Sequence, residues 1–203
     1  MNAMNKTYEN QILNLTEQEG VLRSRDLLPY DIPRVYLSRL IQKGLLRRVG
    51  HGLYMRTDAE PTEHHSLAEA CKRVPHGIIC LLSALQFYNL TTQLPYEVWM
   101  AISQTARLPN VSRPAMRFHR FSGPALKEGI EEHQIEGVPV MVYNPAKTVA
   151  DCFKYRNKVG LDVAIEALKD CLHQRKATPS ALWDYAKICR MTNVMKPYME
   201  AVL

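Results

Sequence analysis

The sequence predicts an α+β protein on three observations. Short amphipathic helical patterns closed by glycine or proline fill residues 1–44, a glycine-turned pair of apolar and basic segments follows them, and beyond residue 60 strand-like runs alternate with capped helices. The length suits two domains, and the polar, proline-containing stretch Asp58–Thr62 is the best linker, which sets the boundaries at 1–60 and 61–203. With 46% hydrophobic and 23% charged residues, both parts have apolar content for a core, and disorder is not indicated.

In the first domain, Tyr8, Ile12, Leu13 and Leu15 recur near helical period, and Glu17–Gly20 reads as that helix's end. Ser24 reads as the N-cap of a short second helix, Arg25-Asp26-Leu27-Leu28, which Pro29 terminates. Pro33 suits the first turn of a third helix running through Arg34 to Lys43, with Gly44 closing it. Leu37, Leu40, Ile41 and then Leu45 form its apolar back, while Arg34, Val35, Tyr36, Ser38, Arg39 and Gln42 fall largely on its front. Two apolar runs then flank Gly50-His51-Gly52, the mark of a tight hairpin, with Arg47 and Arg48 on its basic strand.

The formal charge is +6, and its distribution says more than its size. From Ile32 to Arg56 there is no Asp or Glu, against Arg34, Arg39, Lys43, Arg47, Arg48, Arg56 and His51. Three short helices followed by a basic hairpin is the pattern of a winged helix-turn-helix DNA-binding domain. On that reading Arg34, Tyr36, Ser38, Arg39, Gln42 and Lys43 face base edges and phosphates from the third helix. Arg47, Arg48 and His51 lie on the phosphate backbone from the hairpin, adding affinity with little sequence information. The plainer alternative is a solvated helix face; the glycine-turned basic hairpin and the acid-free window weigh against it. A second acid-free stretch, Val98–Lys127, carries Arg107, Arg113, Arg117, Arg120 and Lys127, and is either solvent-facing loop charge or a second basic surface.

The rest reads as a mixed α/β domain ending in helices. Helical signals resume at Ser66–Cys71, Ile78–Leu82 is a short apolar run, and Ser83 reads as the cap of a helix through Leu90. Candidate strands lie around Val98–Ile102, Arg117–Phe121 and Val138–Tyr143. Asn144-Pro145 opens one helix and Thr178-Pro179 another, each as cap plus first-position proline. Between them Leu161, Ala164, Ile165, Leu168 and Leu172 mark an amphipathic helix, and Met195–Leu203 carries the last.

Catalytic patterns are lacking. There is no phosphate-cradling glycine loop, no GxSxG, no HExxH and no DxD pair, and Glu131-Glu132, being adjacent, point in different directions. Lys147 and Asp151 stand four apart and read as an ion pair on one helix. Cys71, Cys80, Cys152, Cys171 and Cys189 are widely spaced and read as buried, reduced thiols rather than a disulfide framework or a zinc site. His64 and His65 have only Glu63 at hand and read as a polar helix start. No catalytic residue, metal or cofactor is expected. No run approaches the roughly 18 apolar residues of a membrane span, so a cytoplasmic protein with no membrane partner is expected. Met4 offers a second start, and Met1–Ala3 receive no role.

On these residues the chain resembles the AbiEi antitoxins of type IV toxin-antitoxin systems. The resemblance runs through Ile32–Met55, Leu82-Ser83-Ala84-Leu85 with Leu94-Pro95, Gly137-Val138-Pro139-Val140, and the closing stretches Ala186–Arg190 and Val194–Ala201. Asn144-Pro145-Ala146-Lys147-Thr148-Val149-Ala150-Asp151-Cys152 is its most specific part. It implies a repressor that binds inverted repeats in its own promoter, double-stranded DNA being its partner. It also implies a C-terminal domain that neutralises a nucleotidyltransferase-like toxin without a stable complex. If the second basic stretch is a surface rather than loop charge, its partner is DNA, RNA or the toxin's nucleic-acid substrate. Family members commonly have arginine at the position of Lys147, which keeps the charge but loses the planar fork. The competing readings are a winged-helix regulator whose second domain binds a ligand or dimerises, and an enzyme acting on nucleic acid, which the absence of a carboxylate cluster disfavours.

Overall fold

The computed structural model describes residues 3–50, 52–59, 62–111 and 113–202. The protein is a mixed α+β fold with a three-stranded and a five-stranded sheet. It divides into two compact units, residues 1–73 with 134–139, and residues 74–133 with 140–203.

The first unit runs α1 (Ala3–Glu19), β1 (Leu22–Arg23), a 3-10 helix (Ser24–Tyr30), α2 (Val35–Gln42), β2 (Leu46–Gly50), β3 (Leu53–Arg56) and α3 (His65–Arg73). β3 pairs antiparallel with both β1 and β2. Ile12 and Leu15 of α1, Leu22, Leu27, Ile32, Tyr36, Leu37 and Leu40 of α2, and Leu46 form one buried cluster. Each such aliphatic side chain withdrawn from water contributes about 1.5–3 kcal/mol before chain entropy is charged against it.

Three sequence expectations change here. Pro29 does not end the second helix: the segment is a tighter 3-10 helix that runs on through Pro29 to Tyr30, and Asp31 closes it at φ +52° with its N–H on the Leu28 carbonyl. Its N-cap is Arg23 rather than Ser24, and the Asp26 carboxylate, three residues on, reaches back to accept the Arg23 N–H at 2.8 Å. On α2 the apolar back is narrower than expected, because Ile41 is 36% and Leu45 45% exposed. Tyr36 takes their place in the core.

The first unit also holds α3 and residues 134–139, which the sequence reading places beyond residue 60. Polar bonds explain why. Lys72 on α3 donates to Glu19 at 2.6 Å and lies 3.1 Å from Asp26. Glu136 accepts from the Thr62 N–H (2.7 Å), the Thr62 hydroxyl (2.9 Å) and the His65 ring at Nδ1 (2.7 Å). Burial opposes ionisation of Glu136, yet these donors hold its carboxyl below the ordinary value. Gly20 makes the approach possible. At φ +61°, a Cβ there would sit 1.6 Å from the Glu136 carbonyl oxygen, so no other residue fits without moving backbone.

The second unit contains β4 (Ile78–Ile79), α4 (Leu81–Phe87), β5 (Val98–Ser103), β6 (Met116–Phe121), α5 (Pro124–Lys127) and most of β7 (Ile130–Ile135) and β8 (Val138–Tyr143), whose facing ends fall in residues 134–139 of the first. Helices α6 (Pro145–Lys154), α7 (Arg156–Val159), α8 (Leu161–His173), α9 (Pro179–Cys189) and α10 (Thr192–Val202) follow. The sheet order is β6-β5-β4-β8-β7, with β5–β6 and β4–β8 parallel and β4–β5 antiparallel. β7 has no counterpart among the expected strands: Ile130-Glu131-Glu132-His133 is largely exposed, as an edge strand allows, and so carries no apolar alternation.

Helix α6 is the centre of this unit, packed on α4, α8 and α9, and buried from Pro145 to Phe153. Its start is as expected: the Asn144 side chain accepts the Lys147 N–H at 2.9 Å, with Pro145 in the first turn. Thr178 caps α9 in the same way, through the Ala181 N–H at 3.2 Å. Ser83 is not the cap of α4, which begins at Leu81; its hydroxyl instead accepts the Trp99 N–H at 2.9 Å and ties the helix to β5.

Candidate nucleic-acid interface

Helix α2 exists where the sequence places it because Pro33 and Arg34 form its entry and Gly44, at φ +70°, its exit. Tyr36, Leu37 and Leu40 point into the core. Arg34, Val35, Ser38, Arg39, Gln42 and Lys43 are exposed. Of the residues expected on this helix's front, Tyr36 is therefore the one misplaced: it is 8% exposed and its ring lies 5.3 Å from that of Tyr8. Position 36 lies about 100° round the helix from position 35, enough to carry a side chain from the outer face into the core. Tyr36 still serves the face, since the Arg39 guanidinium lies over its ring, 4.8 Å from the centroid. Lys43 is at the edge, with its ammonium 2.6 Å from a Glu9 carboxylate oxygen, so its charge is largely matched.

The two hairpin arginines differ. Arg47 is half-buried and its Nη2 donates to the Ala59 carbonyl at 2.9 Å. Arg48 is exposed, with Nε donating to the Gly50 carbonyl at 3.1 Å. Neighbours on a strand face opposite ways, so the pair cannot present one surface. Arg56, at the end of β3, is bonded through Nε and Nη2 to Asp58 at 2.9 and 2.7 Å. His51 lies outside the described residues.

The second basic stretch is not one patch of free charge. Arg107, Arg113 and Lys127 are exposed. Arg117 is paired with Glu97 and lies 4.8 Å from the centroid of the Trp99 ring. Arg120 uses Nη1 to hold the carbonyls of Gln104 (2.7 Å) and Ala106 (2.9 Å), fixing the loop that joins β5 to β6. Between them is a residue the sequence reading passes over. His119 is 3% exposed, stacked 4.8 Å from Trp99 at 15° and edge-on to Tyr155. Burial, then the charges of Lys158 and Arg117, push its pKa down to about 4.

The expected Lys147–Asp151 pair is present at 2.5 Å and fully buried. Lys147 also lies 4.1 Å from the Tyr143 ring centroid, and the Cys189 thiol donates to the second Asp151 oxygen at 3.2 Å. Burial pushes the Asp151 carboxyl up, against the pull of Lys147 and Cys189. None of the five cysteines is in a disulfide, and all are buried. Burial raises Cys171 to about 11 and Cys189 to about 12, so neither is a ready thiolate at neutral pH. Among the described residues no cluster of His, Cys, Asp or Glu could hold a metal, and no helix is long and apolar enough to cross a membrane.

The stretch that carries α2 and the hairpin is also the stretch that a known family model matches. Residues 10–57 match the AbiEi antitoxin family of transcriptional regulators. The AbiEi match thus spans most of α1 and ends one residue past β3. The whole fold is similar to the crystal structure of the RV2827C protein from Mycobacterium tuberculosis, at a TM-score of 0.56 and 12% sequence identity, over 97% of this chain and 80% of that one. No curated protein matches. At such identity the structural likeness speaks for the fold, while the AbiEi match speaks for a regulator.

Proposed function

We propose that this chain is the DNA-binding antitoxin of a type IV toxin-antitoxin system, an autorepressor rather than an enzyme, acting in the cytoplasm. Residues 1–60 form a winged helix-turn-helix, in which α2 is the recognition helix and the β2–β3 hairpin the wing. Residues 61–203 form the antitoxin domain, which counters a nucleotidyltransferase-like toxin without a lasting complex. The observation that carries the reading is the exposed row Arg34, Ser38, Arg39 and Gln42 on α2, inside the segment that matches AbiEi regulators. Its back is packed on α1 and the 3-10 helix through Leu37 and Leu40. A short helix anchored so, with a cationic and amide-bearing front, is what entry into a major groove requires.

Arg34, Ser38, Arg39 and Gln42 contact bases or adjacent phosphates, and Arg48 with His51 contacts backbone. Lys43 and Arg47, held by Glu9 and by the Ala59 carbonyl, add field rather than direct contacts. Arg107, Arg113 and Lys127 remain as a basic surface on the second unit. The test has two arms. Fluorescence anisotropy with the chain's own promoter duplex should give tight, salt-dependent binding that a scrambled duplex lacks. Coexpression with the neighbouring toxin gene should restore growth. Binding without rescue would leave a plain regulator, and equal affinity for promoter and scrambled duplexes would remove the repressor reading.

A further inference from the structure

We propose that Val35 reads the C5-methyl group of a thymine in the major groove, which makes α2 a reader of a T·A pair as well as of hydrogen-bonding base edges. The inference rests on the DNA-binding reading above and assigns a base to a residue that reading leaves idle.

On a helix turning about 100° per residue, Tyr36, Leu37 and Leu40 define the buried arc, and the opposite direction falls between Ser38, Gln42 and Val35. Val35 is thus at the crown of the exposed face, in its first turn, with Ser38, Arg39 and Gln42 following at three, four and seven residues on the same stripe. It is 51% exposed. A branched aliphatic side chain in that place does nothing for the core, and all its stripe neighbours are polar.

Duplex DNA gives such a side chain one partner. Of the groups the four bases show in the major groove, the thymine methyl is the apolar one. Valine suits it, since a β-branched residue in a helix holds essentially one χ1 rotamer and loses little freedom on contact. The charge around it favours DNA over a protein partner. Arg34 precedes it, Arg39 is a turn beyond, and no acidic residue occurs between Ile32 and Arg56.

The experiment removes one methyl at a time. The full chain is used to select a duplex from a random-sequence pool, and each thymine of that duplex is then replaced singly by deoxyuridine. One position in the site should weaken wild-type binding about fourfold, the worth of a buried methyl group. Val35→Ala should bind the thymine duplex about fourfold more weakly and make no distinction between thymine and uracil there; an unchanged melting temperature confirms that the variant is folded. Wild-type binding that is indifferent to every replacement overturns the proposal, as does a Val35→Ala chain that keeps the discrimination. A chain that selects no duplex removes the DNA-binding reading along with it, whereas tight but methyl-blind binding removes the Val35 contact alone.

Discussion

The guanidinium of Arg39 rests over the ring of Tyr36, 4.8 Å from its centroid, while that ring is itself packed on Tyr8. Tyr36, expected on the exposed front of the helix, is instead buried beneath the side chain proposed to make the contact. Arg39→Ala should cost about 1–3 kcal/mol at a specific site. Tyr36→Leu should weaken binding about two- to fivefold, the range of an exposed cation–π contact. The decisive measurement is the double variant: in an Arg39→Ala background, Tyr36→Leu should have no further effect on affinity.

The hairpin arginines should separate in salt titrations. Arg48→Ala is expected to weaken binding to all sequences and to reduce the slope of log K against log salt by about one. Arg47→Ala, which loses the bond to the Ala59 carbonyl and only a field contribution, should change that slope by well under one and lower the melting temperature instead. Equal slopes for both variants would show that the two share one role.

The buried pair in α6 gives a stability prediction independent of DNA. Lys147→Met leaves the Asp151 carboxylate enclosed with only the Cys189 thiol as donor, at a cost of about 3–5 kcal/mol. Changing both, as Lys147→Met with Asp151→Leu, should recover most of it. Urea unfolding of the two variants measures the difference.

His119 makes folding sensitive to mild acid. Its folded pKa is about 4 against an ordinary 6.5, so between those values the unfolded chain binds a proton that the folded chain refuses. Its contribution is therefore whole above about pH 6.5 and lost as the pH falls toward 4, up to about 3 kcal/mol. In His119→Phe, the stability difference between pH 7 and pH 4.5 should shrink by most of that amount; an unchanged difference would place the acid sensitivity elsewhere.

Local punctuation was legible without coordinates. Asn144-Pro145, Thr178-Pro179 and Gly44 each act through their own backbone chemistry, and each stands where expected. The Lys147–Asp151 pair was legible as well, because helical spacing alone brings positions four apart together. Less could be read where neighbours distant in sequence decide. β7 carries charge rather than alternation because it lies at a sheet edge, and Ser83 bonds Trp99 rather than capping its helix.

For the candidate interface, the sequence by itself determined that a short helix with an apolar back and a basic front precedes a glycine-turned basic hairpin. Those properties follow from composition, period and turn residues. Only the tertiary structure decided which side chains are left to meet a partner. Tyr36 was taken into the core by Tyr8, Lys43 matched by Glu9 and Arg47 tied to the Ala59 carbonyl, while Val35, Ser38, Arg39 and Gln42 stayed outside. Exposure and free charge are properties of what packs nearby, and a helical period fixes direction without saying who stands there.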